Sequence, residues 1–149
     1  MLSKIDQFII RTLQKIWRPL AKISIFIIFF YFGFLKVLGL SPANPLVSAL
    51  LQQTIDFVPF EKFVILWGFF EMLIGLTFIT PRLERIAIFL LLLHMIIVAL
   101  PLILLPQITW QKFLVPTLEG QYIIKNLAII SLALVIGAHL KNNQDKIFK

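Results

Sequence analysis

Four apolar stretches, each long enough to cross a bilayer as a helix, constrain this chain more than any other feature. A hydrocarbon core of about 30 Å needs roughly 20 apolar residues in helical form. Residues 23–40, 60–80, 86–105 and 120–140 meet that requirement, and "SPANP", "TPR" and "LPQ" punctuate the breaks between them. Of the 149 residues, 60% are hydrophobic, and the mean hydropathy is +0.96. Soluble domains hold roughly 45–50% apolar residues and need the rest to clothe a wet surface. The expected fold is therefore all-α: an integral membrane four-helix transmembrane bundle in one domain, without internal repeats.

The chain has no cysteine, which removes disulfides, iron–sulfur clusters and thiolate metal sites. Its net charge of +7 does not point to nucleic acid, because the basic residues flank the apolar segments, where they act as topology signals. Lys4, Arg11, Lys15, Arg18 and Lys22 precede the first span. Arg82 and Arg85 lie between the second and third, and Lys141, Lys146 and Lys149 follow the fourth. The other two connections carry only Lys62 and Lys112. The positive-inside rule then places both termini in the cytoplasm, on a multi-pass protein of the cell inner membrane. The first apolar segment is long, follows some twenty residues and lacks a small-x-small cleavage site, so it is expected to be retained rather than cleaved.

Residues 1–22 are expected to form an amphipathic interfacial helix. Leu2, Ile5, Ile9, Leu13, Ile16 and Leu20 make an apolar stripe, and Arg11, Lys15, Arg18 and Lys22 a basic one. Pro19 is expected to separate this helix from the first span. Asn44 and Pro45 suit N-cap and N1 positions, so residues 45–57 are read as a short outer helix. Trp110 is placed for the outer aromatic belt, and residues 141–149 form a basic cytoplasmic tail.

Titratable residues inside the spans mark the candidate site. At 1.5 Å per residue, Glu71 lies about 16 Å below the outer edge, with His94 near the same level. Lys36 and Lys125 lie about 8–10 Å below it. Gly68, Glu71 and Gly75 share one helical face, Gly33 sits one turn from Lys36, and His94 shares a face with Ala87, Val98 and Pro101. Gln121 with Lys125, and Tyr122 with Asn126, form a polar wall on the fourth span. An unpaired charge at such depth costs roughly 2.5–3.5 kcal/mol on insertion scales, so Glu71 should pair with a lysine. Lys36 and Lys125 are both candidates, and Glu119 at the mouth is a partner for the second. Either lysine is also shallow enough to snorkel outward as an anchor. A metal or haem site is not expected, since His139 sits far from the level of His94 and no second deep carboxylate accompanies Glu71.

"FGFLK" in the first span, "FFEMLIGL" and "TPRLERIA" around the end of the second, and "EGQYIIKNLAII" opening the fourth resemble the DoxX/DoxD-like membrane family. The resemblance covers residues 18–140. It implies a four-helix transmembrane bundle with charged positions at Lys36, Glu71 and Lys125. Asn126 stands where many relatives carry aspartate. Some members are named as the membrane subunit of thiosulfate:quinone oxidoreductase, and related eukaryotic proteins act as cargo receptors or assembly chaperones. Two functions follow as expectations. The first is a polar site in the outer half of the bundle that binds a quinone or other small lipid-like ligand through Lys36, Glu71, His94, Gln121, Tyr122, Lys125 and Asn126. It would serve a redox partner protein, with Glu71 and His94 exchanging protons and no covalent cofactor. The second is a non-enzymatic scaffold, chaperone or cargo-binding protein whose buried charges serve assembly. Transport ranks third, because no span is broken near its middle by Gly or Pro.

Overall fold

The computed structural model describes residues 2–140; the basic tail expected at 141–149 lies outside them. Its long helices are α1 (Leu2–Val37), α3 (Phe60–Ile79), α4 (Glu84–Ala99) and α7 (Leu118–Ala138), with the short α2 (Asn44–Thr54) between α1 and α3. The α4–α7 connection contains two single-turn helices, α5 (Pro101–Leu104) and α6 (Pro106–Thr109), and a small hairpin, β1 (Trp110–Lys112) with β2 (Val115–Pro116). Four helices, one continuing from α4 through Leu104, are long and apolar enough to cross a membrane.

α1 packs most extensively against α3, and contacts from α3 to α4, α4 to α7 and α7 to α1 close the ring. The core is built from residues three or four apart, which share one helical face. Ala21, Ile25 and Phe29 of α1 meet Ile74 and Phe78 of α3, Ala87, Leu91 and Met95 of α4, and Ala133 and Ile136 of α7. The outward faces are also apolar: Leu66, Phe69, Ile96 and Leu127 are all more than half exposed.

The break expected at Pro19 does not form. α1 runs unbroken through the proline as a helix of 36 residues, about 54 Å long. Residues 2–22 therefore continue directly into the first span rather than forming a separate helix. Proline removes one N–H and strands the carbonyl four residues back. Here Pro19 and Lys15 are both exposed, so the loss falls outside the core. α1 ends instead in a Schellman arrangement. Gly39, with φ of 73°, donates to the Lys36 carbonyl at 3.0 Å, and Leu40 donates to that of Leu35 at 2.8 Å.

The short helix after "SPANP" begins at Asn44 and ends at Thr54, starting just before the expected 45–57 and ending short of it. Asn44 is its first helical residue rather than its cap, and its Nδ2 donates back to the Gly39 carbonyl at 3.3 Å. The third apolar stretch changes its hydrogen-bond pattern at Leu100, just before Pro101, where the Leu100 N–H donates to the Ile97 carbonyl at 3.2 Å. The hairpin was not expected from the sequence. It is tied down at its base: Trp110 Nε1 donates to the Leu102 carbonyl at 2.9 Å, and Thr117 Oγ1 to that of Ile108 at 2.7 Å. The same hydroxyl accepts from Gly120 N at 3.2 Å and so caps α7.

Candidate functional site

The close approach of α1 and α3 builds the site. A Cβ added to Gly33 would come within 2.6 Å of the Gly68 carbonyl oxygen, and one added to Gly68 within 2.6 Å of the Gly33 oxygen. Two backbones therefore touch at this crossing, as small residues permit. Further along, Gly75 faces Phe26 and Phe30, so the two helices run antiparallel. Each glycine is followed three residues later by a charge, Lys36 after Gly33 and Glu71 after Gly68. Side chains lean toward the N-terminus of their own helix. On antiparallel neighbours these two consequently lean toward each other.

Lys36 Nζ donates to Glu71 Oε2 at 2.7 Å. On the carboxylate's other side, His94 Nε2 of α4 lies 3.0 Å from Oε1. Exposure of the three side chains is 7% for Lys36, 7% for Glu71 and 6% for His94. Glu71 is thus held from two other helices at once, with an ammonium on one oxygen and an imidazole on the other. An ionised carboxylate only accepts hydrogen bonds, so His94 Nε2 carries the proton that faces it. In the neutral ring Nδ1 is then left as an acceptor, and this buried atom has no hydrogen-bond partner. Aromatic rings surround the imidazole. Trp67 stacks on it with centroids 5.1 Å apart, Phe29 meets it edge-on at 5.2 Å, and Phe70 lies at 6.2 Å. Phe63 stacks behind Trp67 at 5.7 Å.

Of the two lysines available to Glu71, the fold pairs Lys36. Lys125 is exposed, and its Nζ sits 5.5 Å from the ring centroid of Tyr122, one turn back on its own helix. α7 leads away from the hairpin end, so the same lean carries Lys125 toward that end and away from Glu71. Gln121 and Tyr122 are also exposed, Asn126 is partly buried and Glu119 is exposed. The polar wall expected on the fourth span is an outward-facing patch and does not join the buried triad. Among the described residues no group of three His, Cys, Asp or Glu is placed to hold a metal ion.

A second polar cluster escaped the sequence reading. At the opposite end of the helices, Lys22 Nζ donates to Glu84 Oε1 at 2.7 Å, with Arg18 Nη2 at 3.7 Å. Nearby in sequence, Trp17 meets the ring of His139 at 4.8 Å. These contacts join α1 to α4 and to the end of α7. The sequence signal was a lone acid opening a span beside a basic turn, but Lys22 and Arg18 read there only as topology signals.

No family model, curated protein or solved structure matches the chain.

Proposed function

We propose that this chain is a DoxX-like multi-pass protein of the cell inner membrane whose Lys36–Glu71–His94 triad binds a small lipid-soluble molecule through a carbonyl or hydroxyl oxygen. A quinone is the type of such a ligand, and a redox partner protein would supply the electrons. The observation that carries the reading is the buried, unpartnered Nδ1 of His94. Buried polar groups are nearly always satisfied, and an exception calls for a ligand, a water or a chemical role. The membrane placement rests on four helices long and apolar enough to span, whose outward faces also carry large apolar residues. Residues 3–22 carry the basic and apolar stripes of an interfacial segment, but they continue into α1 without a break. They would therefore lie tilted at the cytoplasmic boundary, with Lys22, Arg18 and Glu84 marking that boundary.

The residues present suit such a ligand. His94 Nδ1 offers an acceptor when the ring is neutral and a donor when it is charged, and the stacked face of Trp67 and the edge-on ring of Phe29 border the same imidazole. A quinone would contribute two-electron chemistry coupled to proton uptake. The chain's own part is to hold Glu71 between Lys36 and His94 and to orient the imidazole through Nε2. A second reading is favoured by the fact that both Glu71 oxygens are already taken and the triad is closed. In that reading the triad only locks α1, α3 and α4 together in a non-enzymatic scaffold.

Organic extraction of the purified protein, followed by titration of the stripped protein with a short-chain ubiquinone in detergent, separates the two. The ligand reading expects a co-purified or saturably rebound quinone, lost in His94→Gln. A stoichiometric protein partner, with no binding above empty micelles, replaces it with the scaffold.

A further inference from the structure

We infer that Glu71 and His94 form a carboxylate–imidazole dyad in which Nδ1 of His94 is the general base, and that the ligand class is a weakly acidic hydroxyl such as a phenol. The inference rests on the ligand-site reading above and specifies the atom that acts and the group it acts on. In a dyad of this kind the carboxylate fixes the ring tautomer through one nitrogen and stabilises the imidazolium that forms when the other takes a proton. Here the hydrogen bond from Nε2 to Oε1 occupies the first nitrogen at 3.0 Å, and Nδ1 is buried with no partner.

Lys36 completes the arrangement: its Nζ donates to Oε2 at 2.7 Å, so the carboxylate oxygen not turned to His94 is already held, and the proton taken from the ligand is assigned to the imidazole. The charged groups that meet His94 are Glu71 from α3 and, through it, Lys36 from α1. Its other contacts are the aromatic rings of Phe29, Trp67 and Phe70. With the ring neutral, the ammonium and carboxylate cancel. When a ligand O–H bond breaks, its electron pair stays on oxygen, an N–H bond forms at Nδ1, and the triad becomes singly positive beside a singly negative ligand. The step is balanced without an oxidant or a reductant. A base within hydrogen-bond reach of the proton it takes is what such catalysis requires.

The probe is 4-nitrophenol, colourless as the phenol and yellow as the phenolate, added to the full-length protein in detergent at a pH that keeps it mostly protonated in protein-free micelles. The expected result is saturable yellow absorbance with the wild type. His94→Gln, whose amide replaces Nε2 toward Glu71 but offers no basic nitrogen, loses it. Lys125→Met keeps it, which separates the dyad from surface binding to α7. A second readout covers the case in which His94→Gln does not fold. In protein labelled with 15N-histidine, the chain's two histidines are assigned by His139→Gln. The Nδ1 resonance of His94 should move to its protonated position as the probe is added. A wild-type spectrum identical to protein-free micelles overturns the inference, as does colour that survives in His94→Gln or a probe that binds with Nδ1 unchanged. Quinone binding alongside any of these results retains the ligand site and removes only the base.

Discussion

Lys36 and Lys125 are the same residue type on two of the long helices, yet one is buried on Glu71 and the other lies over Tyr122. Chain direction accounts for this. A long side chain reaches back along its own helix, so a lysine on α1 reaches down toward the acid of the antiparallel α3. A lysine on α7, which is parallel to α3, reaches the other way. Removing one partner of a buried pair typically costs about 3–5 kcal/mol, because the remaining charge is stranded. Glu71→Gln and Lys36→Met should each destabilise the detergent-solubilised protein by about that much, and the double variant by less than the sum. Lys125→Met should stay within about 0.5 kcal/mol of the parent. Thermal unfolding of the four variants checks this, and additive losses for Lys36 and Glu71 would mean that the two do not touch.

At the scale of elements, the α1–α3 seam determines whether the triad exists. A methyl at Gly68 would meet the Gly33 oxygen at 2.6 Å and Val37 Cγ2 at 2.9 Å, so the two helices must separate to admit it. Overpacking of this kind costs typically about 1–3 kcal/mol. Separation would also lengthen the Lys36–Glu71 contact. Gly68→Ala should therefore lower thermal stability and, in combination with Lys36→Met, cost less than the sum of the two. Pro19 is the opposite case. It sits exposed inside a helix that forms despite it, and interior proline costs about 3 kcal/mol relative to alanine. Pro19→Ala should raise stability or leave it unchanged, as read by circular dichroism on heating. A fall would show that the proline holds a bend that α1 needs.

For the whole molecule, the contacts of Lys22 with Glu84 and of Trp17 with His139 bring the middle of α1, the start of α4 and the end of α7 to one end. α2 and the hairpin follow the opposite ends of the long helices. If the basic-rich end faces the cytoplasm, a reporter fused after Lys149 and one inserted within Leu46–Ile55 should give opposite answers; matching answers would rule out four spans. The hairpin tip adds a second feature on the far side. Phe113 is 91% exposed and Leu114, with φ of 59°, is 72% exposed. These apolar residues follow Lys112 beside a half-buried Trp110, the pairing found at bilayer interfaces.

The chain by itself determined the class of fold and the addresses of the polar residues. Apolar length and punctuation located three of the four long helices, and the end of the first, to within a few residues, because a helix must satisfy its own backbone wherever water is absent. Depth and helical face singled out Glu71, His94 and Lys36, because a charge among apolar neighbours is costly and conspicuous. The sequence could not show which lysine Glu71 takes, that Gln121, Tyr122 and Lys125 face outward, or that Lys22 and Glu84 make a second cluster. Those outcomes depend on which helices are neighbours, on their directions and on their rotation about their own axes. These are properties of pairs of segments, and no single segment carries them. The free nitrogen of His94 has the same origin: the sequence supplied a histidine at the right depth, and the packing of α4 against α3 turned one nitrogen to Glu71 and left the other without a partner.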